Sequence, residues 1–123
     1  MPLPLTPAVF NILLVLAGAD AHGYAIMREV ERLMGGRARL GPGTLYRSLF
    51  KMLGDKWIVE LPAPDGRPEL DERRRVYRIT PLGLAIAREE AQRLEQLVSA
   101  ARDRGLLGTH RPGHPRTRQR SRA

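Results

Sequence analysis

The sequence predicts a mainly α-helical fold with a small β-hairpin and a long helix near its C-terminal end. Apolar residues recur with helical spacing in three segments before residue 54. Two short segments with alternating apolar residues then flank a loop, and helical spacing returns from Leu82 to Asp103. A chain of 123 residues is long enough for one domain with a modest core.

Composition and charge exclude several classes of protein. The chain contains no cysteine, which excludes a disulfide framework and a thiolate metal site. Its net charge is +8, and removing the five arginines of residues 109–123, which contain no acid, leaves +3 for residues 1–108. This mild excess suggests a polyanionic partner without establishing one. The apolar run 9–19 is far shorter than the ~20 residues of a membrane span, so we expect a soluble cytoplasmic protein.

The first two helices are predicted from their caps and their apolar faces. Thr6 and Pro7 suit the start of a helix that runs to about Ala17 and is apolar on nearly all sides. Such a helix needs burial all round, so we expect a partner subunit to cover part of it. The second helix runs from about Tyr24 to Met34. Its expected inner face consists of Ile26, Val30 and Leu33.

A third helix, over residues 41–53, has two unlike faces. Leu45, Leu49, Met52 and Leu53 share one side, whereas Arg47 and Lys51 point away from it, with Gly43 and Thr44 beside them. An open helix N-terminus with a hydroxyl group and two cations can meet a phosphate backbone and base edges together. The alternative is an ordinary amphipathic helix with a solvated outer face.

Two strands are predicted from alternating residues. In the first, 56–61, we expect Trp57, Val59 and Leu61 on one face, and the second covers 74–79. One local loop joins them, so they form a hairpin.

The last predicted helix starts with Thr80 and Pro81 and ends near Gly105. An apolar seam along it predicts a dimer interface, because no other part of the chain is left to cover it. From Gly108 onward the composition predicts disorder. The residues predicted for dimerisation are Ala87, Ala91, Leu94, Leu97, Val98 and Ala101.

This order of elements predicts a winged helix-turn-helix, in which the third helix reads DNA and the hairpin is the wing. We assign residues 1–80 to this DNA-binding domain, residues 81–107 to the dimerisation helix and residues 108–123 to a disordered basic tail.

Four short motifs in a fixed order resemble the PadR family of transcriptional regulators, over about residues 5–107. They are His22-Gly-Tyr-Ala-Ile26, Pro42-Gly-Thr-Leu-Tyr46, Arg73-Arg-Arg-Val-Tyr77 with Arg78-Ile-Thr-Pro-Leu-Gly83, and Arg104-Gly-Leu-Leu107.

The resemblance implies a homodimer that binds a palindromic operator in double-stranded DNA and usually represses. It also implies that some members release DNA when they bind a small hydrophobic or aromatic effector. The family commonly has glycine before the first wing strand, where this chain has Lys56. If that position needs left-handed backbone, lysine costs up to ~1 kcal/mol relative to glycine.

Within the predicted reading helix, Arg47 is expected to read a base and Lys51 to meet phosphate, because arginine can fork onto guanine O6 and N7. Thr44 can donate to phosphate, or it can simply cap the helix. Tyr46 and Phe50, on the flanks of the helix, are expected to belong partly to the core. The hydroxyl of Tyr24 is a further candidate for phosphate contact.

The predicted wing has mixed charge. Acids in its loop, Asp65, Glu69, Asp71 and Glu72, would be repelled by phosphate. The arginines at its base are expected to approach the DNA backbone, although they could instead neutralise the preceding acids. These arginines are Arg73, Arg74, Arg75 and Arg78.

No catalytic grouping is present in the sequence, so we expect no enzyme. His110 and His114 are four residues apart, but their segment has no helical pattern and no other ligand, so with His22 they are expected to form no metal site, and we expect no cofactor. Two other functions stay open: a winged helix that binds an acidic protein, and an RNA-binding protein that uses the arginine tail.

Overall fold

The computed structural model describes residues 4–37, 39–62 and 75–108. In these segments the predicted helices and wing strands are all present, together with one strand that was not predicted. The elements, in chain order, are α1 (Pro7–Gly18), β1 (Ala21–His22), α2 (Gly23–Leu33), α3 (Pro42–Gly54), β2 (Ile58–Leu61), β3 (Val76–Ile79) and α4 (Pro81–Asp103).

The strands of the described segments form a three-stranded antiparallel sheet in the order β1-β3-β2. The predicted hairpin is confirmed as the pairing of β2 with β3, in which Ile58 lies opposite Ile79 and Leu61 opposite Val76. β1 adds a third strand by pairing Ala21 with Tyr77. A strand of two residues has no periodicity, which is why the sequence pattern did not reveal it.

Three helices begin with a side-chain cap. The Thr6 hydroxyl accepts from the N–H of Val9 at 3.2 Å, and the Thr80 hydroxyl accepts from the N–H of Gly83 at 3.0 Å, as the Thr-Pro pairs predicted. His22 Nδ1 accepts from the N–H of Ala25 at 3.3 Å and so caps α2.

α2 and α4 end in the same way, with a left-handed glycine after the last turn. Gly35 has φ 65° and Gly105 has φ 79°, which a residue with a Cβ adopts only at a cost. At each end the two N–H groups after the cap residue bond back to carbonyls of the last turn, which is a Schellman motif.

α3 ends in a Schellman motif as well, but a lysine takes the left-handed position. Lys56 has φ 66°, and its N–H donates to the carbonyl of Leu53 at 3.1 Å. The N–H of Trp57 donates to the carbonyl of Met52 at 3.0 Å. The sequence predicted a cost for lysine at position 56 if the backbone there is left-handed. The backbone is left-handed at this residue, so Lys56 carries backbone strain.

The core lies where α1, α2 and α3 pack with the sheet and the first turns of α4. Two sequence expectations about it are wrong. Leu33, the last residue of α2, is 42% exposed instead of facing inward. Trp57 and Ile58 are both buried while Val59 is exposed, since Trp57 still belongs to the turn that ends α3. The fully or nearly buried core side chains include Ile12, Leu13, Leu16, Ile26, Val30, Leu45, Leu49, Met52, Tyr77 and Ile86.

The start of α4 is fixed against the turn before β2. The Thr80 hydroxyl donates to the carbonyls of Lys56 and Trp57, at 2.8 and 3.0 Å. Gly83 is buried there, and a Cβ at this position would collide with the Trp57 carbonyl oxygen. The close approach therefore requires glycine.

The chain divides into two compact units, the first ending at Glu90 and the second beginning at Ala91. In the first unit the described part of α4 buries Ile86, Ala87 and Glu90. Among the described helices, none has the length and apolar character needed to cross a membrane.

Candidate nucleic-acid interface

The candidate interface is built on α3, whose two faces differ as predicted. Leu45, Leu49 and Met52 are buried in the core, which turns Arg47 and Lys51 outward. One expectation for the flanks is confirmed and one is wrong. Tyr46 packs partly buried against the core, whereas Phe50 is 80% exposed.

The N-terminus of α3 is open. In the part of the chain that the structure describes, no side chain caps it, because Gly41 occupies the N-cap position. Thr44 therefore does not act as the N-cap. The first intrahelical bond is from the N–H of Leu45 to the carbonyl of Gly41, at 2.9 Å. The N–H groups of Gly43 and Thr44 come before this bond and have no partner within the helix. They form the positive end of the helix dipole, where an anion binds favourably.

Arg47 folds back over this open end. Its Nη2 donates to the Thr44 hydroxyl at 3.3 Å, and a Cβ added to Gly43 would lie 3.2 Å from its Nη1. Gly43 thus leaves room for the guanidinium group. The cluster brings together a hydroxyl, two N–H groups and a charged fork, all of which donate to phosphate or to base acceptors.

Lys51 lies one turn further along α3 and has an acidic neighbour. Its Nζ is 3.6 Å from Asp55 Oδ2, and both side chains are substantially exposed. An exposed pair of this kind contributes little to stability, so Lys51 is available to an anion at small cost.

A groove of about 820 Å³ lies between α2 and the segment that enters α3. Tyr24, in the first turn of α2, is exposed at this groove, and its hydroxyl accepts from Arg28 Nη1 at 3.3 Å. The Arg28 guanidinium carbon is 5.6 Å from the centre of the Tyr24 ring. Arg39 also lines the groove and approaches Glu31 only at 4.0 Å. Three arginines, one acid and a phenol therefore line a space beside the open end of α3, and one of these arginines, Arg32, is paired with Glu29.

The sequence pattern missed Arg28 and Arg39 as members of this surface. Arg28 looked like one of several mixed charges on α2, and Arg39 lay in a linker without periodicity. Arg28 reaches Tyr24 from four residues further along α2, a spacing that the sequence does contain. Only the nearness of Arg39 depends on how the segment before α3 lies against α2.

At the base of the wing, the described arginines pair with an acid in β2 and with one just before β1. Arg75 Nε is 3.3 Å from Glu60 Oε2, across the β2–β3 pair. Arg78 donates to both carboxylate oxygens of Asp20, with its Nη2 2.8 Å from Oδ2. Glu60 and Asp20 are not among the loop acids that the sequence offered as alternative partners of these arginines. Arg73 and Arg74, the other two arginines predicted for DNA contact, lie outside the described residues.

The ion pair of Asp20 and Arg78 perturbs both groups. The hydrogen bond from Arg78 lowers the pKa of the Asp20 carboxyl, against a smaller opposing effect of desolvation. The same hydrogen bond raises the pKa of Arg78. Both are therefore charged at neutral pH, and the pair links the approach to β1 with β3.

The residues predicted for dimerisation differ in exposure within the single chain. Ala87 is buried in the core of its own chain, so it does not belong to the open seam. Leu97 and Val98 are 54% and 43% exposed, and Ala91 is exposed too. Leu94 and Ala101 are half-buried. The open apolar seam of α4 thus extends from Ala91 to Ala101.

No three metal-ligating side chains come together among residues 4–37, 39–62 and 75–108. His22 serves as the cap of α2 instead. His110 and His114 lie outside the described residues.

A family model and a related protein indicate the family of this chain. The model of the "Transcriptional regulator PadR-like family" matches residues 12–89. The chain is 38% identical over 89 residues to the transcriptional regulator Rv3488 of Mycobacterium tuberculosis, an alignment that covers 72% of this chain and 76% of that protein.

Solved structures share the fold. A PadR family transcription regulator from Clostridium difficile has a TM-score of 0.64 and 22% identity, over 81% of this chain and 98% of its own. A transcriptional regulator from Clostridium thermocellum also has a TM-score of 0.64, with 21% identity over 78% of this chain and 87% of its own.

Proposed function

The chain belongs to the PadR-like family of transcriptional regulators, and from this membership we propose that it binds duplex DNA sequence-specifically as a homodimer and represses transcription. The observation that carries the proposal is the outer face of α3. It presents Arg47, Thr44 and two N–H groups at an open helix end while the opposite face is fixed in the core.

In this proposal α3 enters the major groove with its N-terminal end leading. Arg47 forks onto a guanine, which requires it to leave the Thr44 hydroxyl, and Thr44 then donates to phosphate. Lys51 and Tyr24 contact phosphates on either side of the groove. Arg28 and Arg39 add positive charge beside the α3 N-terminus, and Gly43 allows the backbone to approach closely.

The wing contributes backbone contact through Arg73, Arg74 and Arg75. Arg75 supports this only in part, because Glu60 already neutralises it. Arg78 is assigned a structural role through Asp20.

The homodimer is proposed from the seam on α4. Leu97 and Val98 expose large apolar side chains on one helix, and a second copy of the same seam would cover them. Leu94→Asp would place a charge in this seam at a cost of several kcal/mol. We expect a monomer or an unfolded chain by sedimentation, with Gln96→Asp, outside the seam, as the control. A native dimer of the Leu94→Asp variant would locate the interface elsewhere.

A small hydrophobic or aromatic effector is proposed for a cavity of about 520 Å³ beside the first turn of α1. Leu5, Val9 and Trp57 give it an apolar wall, and Lys51 lies at its edge. An occupant that engages Lys51 would withdraw a cation from DNA. Trp57 is the only tryptophan of the chain, so its fluorescence reports binding of such a compound directly.

Selection of bound sequences from random duplex DNA tests the function. The proposal expects an enriched palindrome with two half-sites, since a two-fold dimer reads each half-site with one α3. Enrichment of single-stranded RNA instead would favour the RNA-binding alternative. No enrichment of either, with an acidic protein bound through Arg47, would favour the protein-binding alternative.

A further inference from the structure

The outer face of α3 has a central stripe that lies opposite its buried stripe. Gly43, Arg47, Phe50 and Gly54 recur at i, i+4, i+7 and i+11, and all four are exposed. The turn of about 100° per residue puts this stripe roughly 180° from the buried Leu45. Since its first and last members are glycines, the two side chains that project from it are Arg47 and Phe50.

The side chain of Phe50 packs little against its own chain. It is 80% exposed, the largest exposed fraction among the large apolar side chains of the described residues. Arg47, three residues earlier, is its exposed neighbour on the helix surface, and Lys51 is exposed on the adjoining side of the helix; both are cations. A surface that fits this face must offer negative charge to the cations and an apolar group to the phenyl ring at the same time.

The major groove of duplex DNA offers both. Its phosphates carry the charge, and the C5-methyl group of thymine is the apolar group that base pairs display there. On the basis of the proposed DNA binding, we infer that Phe50 is a specificity-determining residue that packs against the methyl group of a thymine in each half-site.

The helix geometry fixes where that thymine lies. Phe50 follows Arg47 by three residues, which is about 4.5 Å along the helix axis. Successive base pairs are about 3.4 Å apart. The thymine contacted by Phe50 therefore lies one or two base pairs from the guanine read by Arg47.

The test removes the methyl group from DNA and the ring from the protein. In the duplex selected by the wild-type chain, each thymine in turn is replaced by deoxyuridine, which keeps its base-pairing groups and lacks only the methyl. At one thymine per half-site we expect the wild-type affinity to fall about fourfold, the effect of one methyl group returned to water. Phe50→Ala should bind the thymine and deoxyuridine duplexes equally.

Phe50→Leu and Leu33→Ala serve as matched variants. Phe50→Leu keeps an apolar side chain and should retain part of the discrimination. Leu33→Ala removes another exposed apolar side chain from the helix-turn-helix and should discriminate like the wild type. Both positions are exposed enough for the fold to survive, which thermal unfolding of the three variants checks.

The outcomes separate this inference from the proposed function. A wild-type chain that selects no duplex overturns both. A sequence-selective chain that is indifferent to every replacement, or a Phe50→Ala chain that still discriminates, overturns the inference alone. A Phe50→Ala chain that sediments as a smaller species and still discriminates would assign Phe50 to contact between copies, and this result also overturns it.

Discussion

Replacing Lys56 by glycine should stabilise the protein. Lys56 occupies the left-handed position of a Schellman motif with φ 66°, and the equivalent positions after α2 and α4 are glycines with φ 65° and 79°. A residue with a Cβ costs about 1 kcal/mol in this conformation. Part of this gain in stability is lost, because glycine also increases the conformational entropy of the unfolded chain. We therefore expect Lys56→Gly to raise the free energy of unfolding by up to about 1 kcal/mol.

The assay is urea and thermal unfolding followed by circular dichroism, at one fixed protein concentration because a dimer is expected. For a domain of this size, 1 kcal/mol corresponds to roughly 4–8 °C in the midpoint. Lys56→Ala is the matched control, since it removes the charge and keeps the Cβ. If Lys56→Gly is no more stable than Lys56→Ala, backbone strain at residue 56 is not the cause and the reasoning is refuted.

Three further predictions concern DNA contact and the wing. Arg47→Ala should weaken specific DNA binding by ~1–3 kcal/mol and relax the preference at one position of each half-site, and an unchanged selected sequence would contradict the placement of α3 in the groove. The ion pair of Asp20 and Arg78 should stabilise the fold at neutral pH and lose this effect in acid. Because the pKa of Asp20 is lowered in the folded state, this stabilisation is complete above the ordinary pKa of 3.8 and disappears as the pH falls through the lowered pKa. The melting temperatures of wild type and Asp20→Asn, measured from pH 7 downward, should therefore differ by a constant amount until the pH falls below 3.8. A chain ending at Gly108 should bind the same selected sequence more weakly at low salt and with a shallower slope of log affinity against log salt concentration, since each phosphate neutralised contributes about 0.9 to that slope. Identical slopes for the full and shortened chains would show that the arginine tail does not contact DNA.

The helices could be predicted because their signals are local. The Thr-Pro starts, the glycine ends and the buried stripe of α3 each depend on residues within one or two turns. The strained end of α3 could be stated as a condition from the sequence, yet only the backbone shows that Lys56 takes the left-handed position.

The rest depends on contacts between distant parts of the chain. β1 is defined only by its pairing with β3, and Arg78 meets Asp20 only because β3 lies beside the segment that leads into β1. From the sequence, Phe50 was expected on the flank of α3 and partly in the core. This error was of a different kind, because the turn of about 100° per residue already places Phe50 with Arg47 on the side opposite the buried Leu45, so its exposure could have been predicted from the spacing.

The small sheet explains how α3 and the wing keep a fixed spacing. His22 is both a residue of β1 and the cap of α2, so β3 pairs with a strand that continues into the helix before α3. On the other edge, β2 follows the end of α3 after the Lys56 turn, and Thr80 bonds to the carbonyls of that turn from the end of β3. Both ends of the helix-turn-helix are therefore joined to β3, the second strand of the wing hairpin. A shift of the wing would have to break strand pairing as well as the Asp20 pair, so we expect α3 and the wing base to approach DNA as one rigid surface.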